Sequence, residues 1–364
     1  MTSATGMAVC CVQRVSTSGR RLVILADGHL NFHFGKTAIG LLRYRAGDVV
    51  AVIDRESAGR DTQAALGVGG TTPIVATLTE ALQYRPDALL LGVATRGGTI
   101  PVEWRPVLRA AVDHRLDLIC GLHEFLGDDP ELAMAAEAAG VQLIDVRKPA
   151  PDHTVAEYRP HRPGSTVITM VGSDCAVGKM SVALDVEAEA TRQGMDMYFV
   201  ATGQTGMMIA GNGIPLDRII GDFMAGAVEG AVRDAAEAHD VVLVEGQGSL
   251  LHPAYSGVTL ALIHGSQPDA MILVVKPAID TIEDYPVPIP PVLKLIETYE
   301  AAAGWVKPAR VIAVAVNSHG LPAEQARRIV EHIAIETGLP ATDTFLFGAR
   351  PLVDVIETFQ NERR

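Results

Sequence analysis

Lys179, at the end of a glycine-bounded loop, is the residue best placed to do chemistry on an anion. The loop reads Gly172, Ser173, Asp174, Cys175, Ala176, Val177, Gly178, Lys179, Met180, Ser181. It follows an apolar, β-branched run at 166–171 and opens a segment of helical period at 181–190. A strand, a glycine loop and a helix in that order make a phosphate cradle. Loop N–H groups turn inward, the helix N-terminus adds partial positive charge, and Lys179 adds a full one. Five residues separate Gly172 from Gly178, one more than in the common P-loop. Met180 stands where a Mg²⁺-binding hydroxyl belongs, and Ser181 is one place late. Phosphate binding is expected, and NTP hydrolysis less strongly so.

Three residues are candidates for proton transfer. Glu245 ends the apolar run at 241–244 and precedes Gly246-Gln-Gly248, so it is placed to hold Mg²⁺, act as a base, or cap the next helix. Asp222 opens a helical segment, as N-cap or site carboxylate. His252 follows the 246–248 glycines and can wall the site. The string Thr202, Gly203, Gln204, Thr205, Gly206 follows a strand-like run ending at Val200, so it is expected as a loop beside the phosphate loop. Arg218 and Lys276 are basic residues near expected loops, Lys276 reading more readily as structural. His264 reads more readily as structural, and Cys175 as a small residue filling the turn.

Positioning these residues takes two layers of alternating strand and helix. In the first half, β-rich runs at 22–25, 49–53, 88–93, 118–120 and 141–144 alternate with helical segments at 35–44, 107–114 and 130–139. In the second, strand-like runs at 166–171, 197–200, 241–244, 271–275 and 311–316 precede a helix at 323–336, with Pro322 before it and Gly338 after it. The fold class is α/β, with two doubly wound parallel-sheet domains, N-terminal Rossmann-like and C-terminal P-loop NTPase-like. The expected division is 1–150, a proline-bearing linker at 151–165, and 166–364. In the first half Gly28, His29, Lys36, Thr37 and Asp54 fall at strand–helix junctions, but no G-x-G-x-x-G follows the first strand. His29 and His33 share helical spacing with no third metal ligand, so no metal site is expected.

Composition narrows the function. The 364 residues carry a formal net charge of −13, which argues against a nucleic-acid partner. Hydrophobic residues make up 48% and aromatics 5%, suiting parallel strands of Val, Leu and Ile covered by helices. No apolar run is long enough to span a membrane, and the N-terminus lacks a signal-peptide pattern. Cys10, Cys11, Cys120 and Cys175 show no metal spacing, which leads us to expect a reducing, cytoplasmic setting.

The loop together with Val244-Glu-Gly-Gln-Gly248 resembles dethiobiotin synthetase over residues 166–320. A fuller resemblance rests on Lys36-Thr-Ala, Val52-Ile-Asp54, the loop 172–179, the string 202–206, Asp222-Phe-Met-Ala-Gly-Ala-Val-Glu229 and His264-Gly-Ser-Gln-Pro-Asp269. On these the chain is similar to a P-loop family of formerly unknown function, some members of which are D-glutamate N-acetyltransferases of the DgcN type. These work beside an enolase-superfamily partner in D-glutamate catabolism. The resemblance implies acetyl transfer from acetyl-CoA, as cosubstrate, to the amine of a small-molecule D-amino acid. Residues 172–181 and 202–206 would bind the cofactor, and Asp222, Glu245 and His252 would be candidate bases. A homo-oligomer is expected. The alternative is an ATP- or GTP-dependent carboxylate-activating enzyme that takes a Mg-nucleotide.

Overall fold

The structure, a computed structural model, describes residues 12–363 except Ser16, Ser18, His33 and Asp152. Cys10, Cys11 and His33 therefore lie outside the described residues. The chain forms two compact units: Arg14–Pro149 with Gln204–Arg218, and Ala150–Gly203 with Ile219–Arg364 and the described residues up to Gln13.

The first unit is a six-stranded parallel sheet. Its strands are β1 (Leu22–Leu25), β2 (Val49–Ile53), β3 (Ile74–Val75), β4 (Ala88–Leu91), β5 (Asp117–Cys120) and β6 (Leu143–Asp145). Their order, β3-β2-β1-β4-β5-β6, is that of a Rossmann sheet. Every residue of β1 and β4 is buried. Covered on both faces, these strands read as continuous apolar runs without alternation.

The segment 204–218 departs from the expected division, because it packs in this first unit. Residues 204–206 are not a loop but the first turn of the helix Gln204–Ala210. The Thr205 hydroxyl meets that of Thr37 at 2.9 Å, and the Gln204 side-chain oxygen accepts from Arg147 at 2.8 Å. Met207 and Met208 are fully buried, and that apolar burial outweighs the turn-like composition of Thr-Gly-Gln-Thr-Gly.

The second unit holds β7 (Thr166–Gly172), β8 (Met197–Val200), β9 (Val241–Val244), β10 (Ala270–Val275), β11 (Arg310–Val316) and β12 (Ala341–Thr342). The sheet is parallel in the order β12-β11-β10-β7-β9-β8, so β7 is central and the helix Lys179–Arg192 follows it. Leu273, Val314, Leu295 and Tyr299 belong to the core on one side. The helix Ala323–Thr337 ends at Gly338 in the left-handed conformation, as its punctuation predicts.

The expected linker is a fastened strap. It crosses the helix Gly221–Ala238 at Gly226, where a Cβ would come within 1.9 Å of the Thr154 carbonyl oxygen. Three residues further on, the buried Glu229 carboxylate accepts the N–H groups of Glu157, Tyr158 and Arg159. Gly265 likewise admits the Ala225 carbonyl, which would stand 2.3 Å from a Cβ there. Among the described residues no helix is long and apolar enough to cross a membrane.

Candidate functional site

The phosphate loop sits where β7 ends, between the ends of β9 and β10. Gly178 caps the following helix at φ 106°, a backbone state that suits glycine, and a Cβ there would crowd Asn317 at 3.2 Å. Ala176 holds φ 46°, left-handed for a residue with a Cβ, inside the same turn. The Asn317 amide fastens the loop from outside by donating to the Val177 carbonyl at 2.7 Å.

Lys179 is buried, and its ammonium donates to the Asp174 carbonyl at 2.7 Å. Two glycines make its channel. A Cβ on Gly246 would lie 2.7 Å from Lys179 Cδ, and one on Gly172 would lie 3.1 Å from Nζ. Burial pushes the ammonium down to about 8, against the pull of Cys175, Asp174 and Glu245. A desolvated cation at a helix N-terminus suits an anion.

Buried carboxylates and hydroxyls brace the loop. Asp174 accepts the N–H of Cys175 at 2.6 Å and that of Glu283 at 2.7 Å. The Tyr299 hydroxyl donates to the Gly172 carbonyl at 2.6 Å and accepts from the Leu250 N–H at 3.2 Å. The Ser249 hydroxyl donates to the Ser173 carbonyl at 3.3 Å. The Ser173 hydroxyl itself is buried with no hydrogen-bond partner.

His252 is 3% exposed, between the rings of Tyr255 (4.4 Å between centroids) and Tyr285 (5.1 Å). One of its ring nitrogens lies within 4.8 Å of both an Asp174 carboxylate oxygen and the Cys175 sulfur. Its Nδ1 accepts the N–H of Ala254 at 3.1 Å. A ring nitrogen that accepts a proton donor carries no proton, so neutral His252 bears its proton on Nε2.

The other candidates separate. Glu245 reaches back to accept the N–H groups of Thr202 (2.8 Å) and Gly203 (3.1 Å) through one oxygen, so it staples the 202–203 backbone. Asp222 is exposed in the first turn of its helix. The N-cap is Ile220, and Asp222 makes no capping bond. Its charge complements the helix dipole, and its helix starts at the same carboxyl edge as the loop. Arg218 lies in the first unit over the Phe125 ring at 4.8 Å. Lys276 is half-buried just past β10. His264 is structural, with its Nε2 3.0 Å from the Ala302 carbonyl.

Tyr299 and Asn317 lie outside the sequence motifs. Asn317 directly follows β11 at the carboxyl edge, a position that could have marked it. Tyr299 lies within the helix Val292–Gly304, where no local pattern distinguishes it. A cavity of about 500 Å³ is lined by Leu250, Leu260, Thr298 and Trp305 among others, and by none of residues 172–181. We place the site at the loop, where the buried cation and the partnerless hydroxyl gather.

Two family models match the chain. A domain of unknown function with a Rossmann-like fold, DUF1611_N, covers residues 55–149, and a P-loop domain of unknown function, DUF1611_C, covers 154–353. A protein of Tritonibacter scottomollicae named D-glutamate N-acetyltransferase is 40% identical over 88% of this chain and 93% of its own. A Pseudoalteromonas protein of the same name is 35% identical over 76% and 83%. The crystal structure of a DUF1611 family protein from Anabaena variabilis superposes with a TM-score of 0.89 at 38% identity, covering 93% of this chain and 99% of that one. With its two domains matched in order and its length shared with these relatives, the chain belongs to the DUF1611 family.

Proposed function

We propose that this chain is an N-acetyltransferase that moves acetyl from acetyl-CoA to the amine of a D-amino acid, D-glutamate first among them, in D-amino-acid breakdown. The observation that carries this is the 40% identity, across nearly the whole chain, to a protein named for that reaction. The loop is compatible with it. A cradle with Met180 in the hydroxyl position suits a phosphate that is held but not transferred. Coenzyme A offers such phosphates.

In this reading the amine nitrogen attacks the thioester carbonyl carbon. The N–C bond forms, the C–S bond breaks, and the departing thiolate takes up a proton. The pantetheine arm separates the thioester from the phosphates, so groups that touch the cradle do not also work at the reacting carbon. Asp222 is the candidate we assign to accept the ammonium proton. It is exposed and stands at the loop's edge of the sheet, whereas Glu245 and His252 use acceptor atoms on backbone N–H groups. Cytoplasmic location and assembly with further copies remain part of this reading.

The test is thiol release from acetyl-CoA with EDTA present, comparing D-glutamate with L-glutamate and other D-amino acids. Stereospecific release without metal is expected. No release with any amine, together with Mg²⁺-dependent nucleotide hydrolysis, would favour the carboxylate-activating alternative.

A further inference from the structure

Asp174, Cys175 and His252 place a carboxylate oxygen, a sulfur and an imidazole nitrogen within 4.8 Å of one another. These are the donor types of a zinc site. The proton positions say otherwise. A metal on Nε2 needs that nitrogen bare, with Nδ1–H donating to an acceptor behind it. Behind Nδ1 stands a donor, the Ala254 N–H at 3.1 Å, so the proton sits on Nε2. The same fact removes His252 as a base, because its lone pair is already occupied. Asp174 is likewise engaged through both oxygens.

The imidazole of His252, 3% exposed as a residue, is thus a donor through Nε2. The Ser173 hydroxyl is buried and, among the described residues, has no hydrogen-bond partner. Buried donors without partners are uncommon in folded proteins, because each costs the desolvation of a polar group. Both belong to the phosphate loop or its wall, beside a buried lysine and under the N-terminus of a fourteen-residue helix. We infer that His252 is a neutral hydrogen-bond donor to a phosphate oxygen, and that the Asp174–Cys175–His252 cluster is a wall of the anion cradle rather than a metal site or a catalytic base. This rests on the proposed function only in naming the phosphate as one of coenzyme A.

The first experiment is ¹⁵N–¹H NMR of histidine-labelled full-length protein, with and without inorganic phosphate. We expect His252 as the Nε2–H tautomer, its Nε2 signal moving when phosphate is added. The second is coenzyme A affinity. Losing a donor to a charged oxygen should weaken binding about tenfold or more in His252→Ala, while His252→Gln, which keeps an N–H donor, should stay within about threefold of wild type. Melting temperatures confirm that the variants fold. An Nδ1–H tautomer, stoichiometric Zn²⁺ retention that Cys175→Ala abolishes, or unchanged affinity in His252→Ala would each overturn the inference. Wild-type protein that binds no coenzyme A but still shows the phosphate-induced shift would sink the proposed function and leave this inference standing. No shift with phosphate would sink the inference itself.

Discussion

The two units share a parallel doubly wound sheet, and both use acids at strand ends in the same way. In the first unit Asp54, at the end of β2, accepts the N–H groups of Gly28 (2.9 Å) and Ser57 (3.0 Å). Asp145, at the end of β6, takes those of Leu126 and Gly127. In the second unit Glu245 does this for Thr202 and Gly203. The buried cations differ. Arg147 gives both terminal nitrogens to protein acceptors, the Gly121 carbonyl on one side and Gln204 and Asp217 on the other, and only its Nε is left without one among the described residues. Lys179 has one backbone carbonyl, with a partnerless serine hydroxyl in its own loop and a histidine donor on the wall. A strand-terminal acid therefore does not by itself point to function here, since in both units it holds the backbone of neighbouring loops. A partnerless buried donor is no marker by itself either, since Arg147 Nε and Trp104 Nε1 in the first unit also lack one; what sets the second unit apart is such a donor in one loop with a buried lysine at a helix N-terminus.

The largest effect should come from removing the cation. Lys179→Met should cut coenzyme A affinity about a hundredfold or more, since a charge-assisted contact inside a low-dielectric loop is lost. The fold should survive, because methionine fills the channel and a desolvated charge is gone. The pH dependence has a defined sign. The folded lysine titrates at about 8, below its ordinary 10.5, so its burial penalty is present below about 8 and fades as pH climbs towards 10.5. Wild type should gain roughly 3 kcal/mol on the variant across that window. Its anion affinity should fall over the same range as the ammonium loses its proton. Calorimetric titration and thermal melts read both. Unchanged affinity in Lys179→Met would erase the contrast between the units.

A second variant tests whether family-marking strings are catalytic or architectural. Asp269, in the His264–Asp269 string, is held by Lys307 at 2.6 Å, Arg363 at 2.7 Å and the Val167 N–H at 2.9 Å. Burial works to raise its carboxyl, but the hydrogen bonds from His161 and Lys307 prevail and hold it at about 2. Its contribution, about 2 kcal/mol, is present above the ordinary carboxylate value and lost as pH falls through about 2. Asp269→Asn takes the carboxylate from partly exposed Lys307 and exposed Arg363 and should cost about 2 kcal/mol at neutral pH, with KM for acetyl-CoA unchanged. Chemical denaturation and steady-state kinetics separate the two. A raised KM at unchanged stability would make the string part of the site.

Much of this was legible in the sequence, for physical reasons. β7, β9 and β10 are buried on both faces, so they stand out as unbroken apolar runs. The cradle is local: strand, loop, lysine and helix are contiguous, and spacing alone locates them. The roles of Glu245 and His252 were not legible, because they depend on backbone N–H groups elsewhere in the fold. Nor was the helix at 204–210, whose first residues look like a turn until burial of Met207 and Met208 is known. β3 and β12, two residues each, are too short to carry a period.

A smaller effect is expected at Tyr299. Tyr299→Phe removes one donor and one acceptor from the loop's support while keeping the ring in the core. We expect a loss of about 1 kcal/mol in stability and a coenzyme A affinity lower by a factor of a few, because the Gly172 carbonyl loses its buried partner. If affinity falls as far as in Lys179→Met, Tyr299 acts on the ligand and not on the loop.

The smallest effect, and the sharpest control, lies in the first unit. Asp54 sits at the position where a Rossmann domain presents an acid to a ribose. Here both carboxylate oxygens hold backbone N–H groups. Asp54→Asn keeps one acceptor oxygen and turns the other position into a donor facing an N–H. That should cost about 1–2 kcal/mol by setting two donors against each other. Because the bonds run between two turns of one unit, the loss should appear in hydrogen exchange at Gly28 and Ser57 and not in kcat/KM for acetyl transfer. A selective rise in KM for a nucleotide-bearing substrate would reverse this reading. It would make the first sheet's edge a ligand site and leave the two units more alike than their buried cations suggest.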